Sequence, residues 1–169
     1  MTLYRQRGVT LIELMVGLAI MALLLLAALP FGARWAQGNR QMQARSLVWE
    51  GMSQARSIAL RNPAMQRIGT PAAVLRMRAG QLEVVAPGND TPLWAGVLRS
   101  DVRLRFSDPA GFSDADAMQA SSFPVFDCVG FDARGIRLPA ADGCADGAPA
   151  IDRIAVGLAS QEPLYVELL

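Results

Sequence analysis

Histidine is absent from these 169 residues, and so is lysine. Without histidine the chain lacks the commonest general base and the commonest metal ligand. Two cysteines are too few for a thiolate metal site. No nucleophile elbow, phosphate-binding loop or zinc-protease helix occurs, and any serine or threonine nucleophile would lack an imidazole base. The acidic residues form no recognisable catalytic pair. An enzyme, a metal site and a cofactor are therefore not expected. The missing lysine means that all sixteen basic residues are arginine. In an Ala- and Gly-rich background this reads first as codon usage and only second as phosphate recognition. A net charge of +1 gives no guide to partners. The length suits one domain plus an appendage.

What the chain does contain is a long apolar run near its start. Residues 14–31, LMVGLAIMALLLLAALPF, carry no charge, and residues 9–12 extend the run beyond Glu13. At 1.5 Å per residue such a helix crosses a bilayer core of about 30 Å. The rival reading is a cleaved secretory signal, with Arg5 and Arg7 as its basic region, but no Ala-x-Ala site follows the run. Arginines flank the span on both sides, so charge does not set its orientation. A short leader, a long remainder and two cysteines favour export of the C-terminal part. Glu13 is the anomaly: an ionised carboxylate at the edge of hydrocarbon costs several kcal/mol unless it is paired, or unless it merely snorkels to the headgroups.

Past Pro30 the pattern keeps a helical period. Trp35, Met42, Leu47, Val48, Met52, Ala55 and Ala59 recur at three-, four- and seven-residue steps among arginines, which reads as an amphipathic helix packing onto its own domain. Asn62-Pro63 is its stop. A helix over residues 10–61 would be about 78 Å long. Pro30 is expected to kink or locally melt it, and Gly32, Gly38 and Gly51 to soften it.

The period then becomes two. AVLRMR and QLEVVA flank Ala79-Gly80 as a hairpin, PGNDTP is a turn-rich loop, and Val102, Leu104 and Phe106 alternate with Arg103 and Arg105. Residues 107–122 read as a long loop. Further strands are expected in FPVFDCVGF, IRL, IDRIAVGL and LYVEL. The result is an α+β domain of five to seven antiparallel strands on one helix. Cys128 and Cys144, if exported, would close a loop of about 15 residues and contribute about 3 kcal/mol; in a cytosolic protein they would be unlinked thiols.

RGVTLIELMVGLAI, with a glycine, a glutamate five residues later and a proline farther along the helix, resembles the N-terminus of type IV prepilins and type II secretion pseudopilins. The resemblance implies that residues 1–8 are a leader that prepilin peptidase removes by cutting between Gly8 and Val9. It also implies methylation of the Val9 amine, at a position where phenylalanine is usual. Glu13 would then pair with an N-terminal amine, its own or a neighbour's, and set axial register while the helices pack laterally. Residues 9–33 would be the transmembrane half of the helix, 34–61 the amphipathic half and 62–169 a periplasmic β-rich head. The implied location is the inner membrane in a single pass, then the filament. The implied partners are the peptidase, other minor and major pilins or pseudopilins, the inner-membrane assembly platform and membrane lipid. In layout the head is similar to the GspH/FimT group, a sheet or small sandwich leaning on the helix.

Three functions follow for comparison. The first is a structural minor pilin in the initiating or tip complex of a type IV pilus, with a minor pseudopilin of a type II secretion system as its near twin. The second is a DNA-binding pilin for natural transformation, using Arg99, Arg103, Arg105, Arg134 and Arg137 against phosphates. Aspartates 101, 108, 114, 116 and 132 lie among these arginines, and no aromatic is free to stack, so nucleic acid is not the expected partner. The third, a membrane-anchored enzyme, has no residues to carry it.

Overall fold

The computed structural model describes residues 10–148, 150–158 and 161–168. They divide into two compact units between Ala36 and Gln37. One helix, α1 (Leu11–Arg61), contributes to both. In the first unit, Leu11–Ala28 is long and apolar enough to cross a membrane, and none of it is buried among the described residues. The helical assignment runs unbroken through Pro30, so no melted turn interrupts it.

In the second unit α1 buries Ala44, Val48, Met52, Ala55, Ile58 and Ala59, a stripe of three- and four-residue steps. Trp35 and Met42, expected on the buried stripe, are instead 73% and 60% exposed. At the N-terminal end of the stripe the buried residue is Gln41, whose amide donates to Val156 O at 2.9 Å and Glu162 O at 2.7 Å. Those bonds make a polar side chain acceptable where Met42 would be expected. The helix stops as expected: Asn62 turns left-handed (φ 45°), its N–H donating to Ile58 O, and Pro63 follows.

Among the described residues eight strands form two antiparallel sheets, an α+β arrangement. The first has β1 (Ala73–Arg78), β2 (Gln81–Val85), β3 (Trp94–Val97), β5 (Cys128–Phe131) and β6 (Arg137–Leu138), in the order β3-β2-β1-β5-β6. The second has β4 (Val102–Ser107), β7 (Arg153–Leu158) and β8 (Leu164–Glu167), in the order β4-β7-β8. Leu75, Leu82, Val84, Val129 and Phe131 of one sheet join Leu104, Phe106, Ile154 and Val156 of the other and the α1 stripe in one core. The count exceeds the expected five to seven by β3, a strand the alternation did not mark, which pairs with β2 in the first sheet. The long loop expected at 107–122 contains a short helix, α2 (Ala115–Ala120), capped by Asp114, whose carboxylate accepts from Ala117 N–H at 2.7 Å.

The hairpin β1–β2 pairs Arg78 with Gln81, leaving Ala79 (φ 50°) and Gly80 (φ 78°) as a two-residue turn with both φ positive. Glycine adopts that region freely, whereas alanine is strained there by about 1 kcal/mol or more. Ala79→Asn is expected to stabilise the head by about 0.5–1 kcal/mol in urea unfolding. Gly51 and Gly96 mark close approaches, not softness: a Cβ on Gly51 would lie 3.0 Å from Leu75 Cδ1, and one on Gly96 2.6 Å from Leu47 Cδ1. Tighter still is Gly130 on β5, where a Cβ would fall 2.4 Å from Ala141 Cβ, an atom with no rotamer to escape into. Gly130→Ala is therefore expected to destabilise by about 1–3 kcal/mol, read as a lowered urea midpoint at unchanged slope.

On the outer face of the larger sheet a second apolar patch joins Val74 and Val85 to Cys144 and Cys128. Two 3-10 turns, Ala141–Gly143 and Ala145–Gly147, carry Cys144 over the sheet, and the structure bonds it to Cys128 with the Cα atoms 5.1 Å apart. Asp127 supports the bridge by accepting from Ala145 N–H at 3.0 Å and from Cys128 N–H at 2.6 Å.

Candidate functional site

The first turn of α1 holds the acid that the sequence made conspicuous. Thr10 precedes the helix, and its Oγ1 accepts from Glu13 N–H at 3.3 Å. Glu13 reaches back, its Oε2 accepting from Thr10 N–H at 3.1 Å and from Thr10 Oγ1 at 3.0 Å. The spacing Thr-x-x-Glu makes this a capping box, in which each side chain satisfies a backbone N–H that the helix start leaves free. Glu13 thereby also sits at the positive end of the helix dipole. Among the described residues Oε1 has no donor. One carboxylate oxygen is thus held by the cap, and the other is open to a cation.

Within and beyond this turn Leu11, Ile12, Leu14, Met15, Leu18, Met21 and the leucines at 23–26 are each more than half exposed. A surface of that kind is stable only in lipid or against other apolar helices. The arrangement can therefore do two things at once: bury its flank, and offer a fixed negative charge at the end of the buried stretch.

Of the residues singled out in sequence, Glu13 lies in this turn, and Cys128 and Cys144 are joined in the head. Pro30 lies within α1. Gly8, Val9 and the leader at 1–8 fall outside the described residues. Thr10 was missed as a functional residue, although the Thr-x-x-Glu spacing before an apolar run was its signal.

The arginines considered for DNA do not form a free row. Arg99 Nε is 3.1 Å from Asp101 Oδ1, and Arg137 Nε is 2.9 Å from Asp146 Oδ2. Arg105 Nη1 donates to Ser121 O at 3.1 Å and also to Phe123 O. Arg134 Nη2 is 3.0 Å from Asp132 Oδ2. Arg103 is exposed and without an ion pair among the described residues. Asp132, fully buried, closes the turn after β5 by accepting from Arg134 N–H at 2.9 Å and Ile136 N–H at 3.1 Å. Burial opposes its ionisation, but the two N–H donors and the Arg134 guanidinium outweigh that and hold its carboxyl below the ordinary value of 3.8. A depressed folded pKa contributes stability that is complete above the unfolded pKa and is lost as pH falls through the folded one. Asp132→Asn should accordingly flatten the acid limb of the stability curve below about pH 4, measured by urea unfolding at stepped pH.

Among the described residues no group of three or more His, Cys, Asp or Glu side chains converges as a metal site would require. Residues 3–29 match the family model described as the prokaryotic N-terminal methylation motif. No curated protein and no solved structure matches the chain. The motif implies processing by prepilin peptidase and assembly with other pilins. This motif, leading into a capped glutamate and an apolar helix, supports a type IV pilin-like protein, and the α+β arrangement of helix and antiparallel sheets is consistent with a type IV pilin fold.

Proposed function

We propose that this protein is a structural minor pilin of the GspH/FimT kind, incorporated into a type IV pilus as part of its initiating or tip complex. Residues 1–8 are removed between Gly8 and Val9, and the Val9 amine is methylated. The mature chain crosses the inner membrane once, with residues 62–169 as a periplasmic head and the helix divided into a transmembrane half at 9–33 and an amphipathic half at 34–61. Pro30 bends the helix where its missing N–H breaks the hydrogen-bond ladder. The inner-membrane assembly platform extracts the subunit into the filament.

The observation that carries this reading is the half-satisfied Glu13. The cap engages Oε2 and leaves Oε1 for a cation, and the helix below it has no apolar cover of its own. The Val9 amine of an adjacent subunit supplies that cation. Lateral packing then covers the leucines and neutralises the acid in the same step. The disulfide over the head sheet suits an oxidising compartment.

The test is genetic and chemical together. Deleting the gene should abolish surface pili or twitching while leaving enzyme secretion intact. Loss of secretion with normal pili assigns the protein instead to a type II secretion pseudopilus. Mass spectrometry of the native protein should find a methylated N-terminus at Val9, and an intact start or a cut elsewhere refutes the assembly reading.

A further inference from the structure

The two cysteines of the Cys128–Cys144 bridge are not equally open. Cys144 is 4% exposed and packs with Val74 and Val85. Cys128, at the start of β5, is only partly covered, and it alone of the pair lines a 420 Å³ cleft on the outer face of the larger sheet. Val74 and Val85 also line this cleft, Arg76 stands directly across the strand pair from Cys128, and the loop from Ala86 to Asp90 borders it, with Asn89 exposed. Arg76 is already bonded to Glu83 at 3.2 Å and to Asp90 at 3.0 Å, so the reactive group in the cleft is the bridge.

The surroundings hold the two cysteines together independently of their bond. Asp127 accepts from Cys128 N–H at 2.6 Å and from Ala145 N–H at 3.0 Å, which ties the backbone beside each cysteine to one carboxylate. Arg137 grips Asp146, two residues past Cys144, with Nε 2.9 Å from Oδ2. Opening the bridge therefore removes one of several ties and leaves the Cys144 thiol beside Cys128.

We propose that Cys128 is the exchange cysteine of this bridge: an external dithiol enters by the cleft and reacts at Cys128, while Cys144 serves as the resolving thiol. The dithiol's thiolate attacks Cys128 Sγ and forms a mixed disulfide; the Sγ–Sγ bond breaks, and its electron pair leaves on Cys144 Sγ, which takes up a proton. The dithiol's second thiolate then attacks its own first sulfur, freeing Cys128 and leaving the partner as a disulfide. The chain has gained the two electrons and two protons that the dithiol lost. With a partner that carries a disulfide the same steps run backward: Cys128 attacks it, and Cys144 attacks Cys128 Sγ to close the bridge. Burial among Val74 and Val85 disfavours a free thiolate on Cys144, so the return attack is favoured and the closed form prevails in an oxidising compartment. The site belongs to the head alone and holds whether or not the assembly reading does.

The test exposes the bridged full chain, in detergent micelles, to excess reduced glutathione and quenches it with iodoacetamide at low conversion. Peptide mapping should find glutathione on Cys128 and the alkyl group on Cys144, in about tenfold excess over the reverse arrangement. Urea below the unfolding transition should leave the rate nearly unchanged, because the route needs no unfolding. Asn89→Trp, which places bulk at the cleft, should slow the reaction about fivefold at an unchanged melting temperature. Absence of reaction, glutathione found equally on both cysteines or mainly on Cys144, or a rate that climbs steeply with urea overturns the proposal. A folded Asn89→Trp variant that reacts at the wild-type rate overturns the cleft as the route.

Discussion

Replacing Glu13 by alanine is expected to reduce incorporation of the subunit into filaments about a hundredfold, at unchanged abundance in the membrane. The magnitude follows from what remains after the change. In the proposed filament the Val9 amine of the neighbour is left in a low-dielectric contact without a counterion, and stranding one member of a buried pair costs about 3–5 kcal/mol. At 1.4 kcal/mol per factor of ten, the lower figure already gives about two decades. Thr10→Val separates the charge from the cap: it removes the Oγ1 that accepts from Glu13 N–H and donates to Oε2, but it leaves the carboxylate in place. Loss of a cap is worth about 1 kcal/mol, so this variant should lose only about fivefold. Immunoblots of sheared filaments, normalised to the membrane fraction, measure both. Wild-type incorporation of the alanine variant would eliminate the pairing, and equal losses in the two variants would assign the effect to helix capping.

The parts of the fold that were legible in the sequence are those specified locally. An uncharged apolar run, an Asn-Pro stop and an Ala-Gly turn between alternating strands each need only a few neighbouring residues to state their conformation, and α1 and the β1–β2 hairpin lie where those signals put them. What the sequence concealed depends on contacts far along the chain. Gln41 is buried because Val156 and Glu162, more than a hundred residues on, offer two carbonyls; a polarity pattern alone would turn that face of the helix to solvent. Gly51 looks like a point of weakness until Leu75 is placed against it. The resemblance left one sheet and a small sandwich both open; the division into two sheets turns on residues 124–127 leaving β4 for β1, a crossing with no local signature. At the candidate site, Glu13 was conspicuous as an acid in an apolar run. Its partner Thr10 was not, because a threonine before a helix is unremarkable until the glutamate three residues later is seen to bond back to it.

Arg137→Met should lower the thermal midpoint of the head by about 10 °C or more, the largest stability effect expected among its ion pairs. Arg137 clamps the segment that covers the larger sheet. Its Nε lies 2.9 Å from Asp146 Oδ2, Nη2 donates to Asp146 O at 2.8 Å and Nη1 to Ile151 O at 3.0 Å. The other oxygen, Asp146 Oδ1, accepts from Ala140 N–H at 2.8 Å, and the Asp146 side chain is fully buried. Methionine fills comparable volume but leaves that carboxylate without its cation, a loss of about 3–5 kcal/mol. Arg137→Met combined with Asp146→Leu removes both charges together and should recover most of the loss, since a buried pair replaced by apolar groups is often near neutral. The disulfide tethers the same segment from its other end, through Cys144 to Cys128. In the Cys128→Ser, Cys144→Ser background the segment is already partly released, so Arg137→Met should cost less there than in the bridged protein. Calorimetry on the four combinations measures that coupling. Strict additivity would mean that the two tethers act on independent pieces of structure, and a loss below about 1 kcal/mol for Arg137→Met alone would mean that water reaches Asp146 and takes the place of the guanidinium.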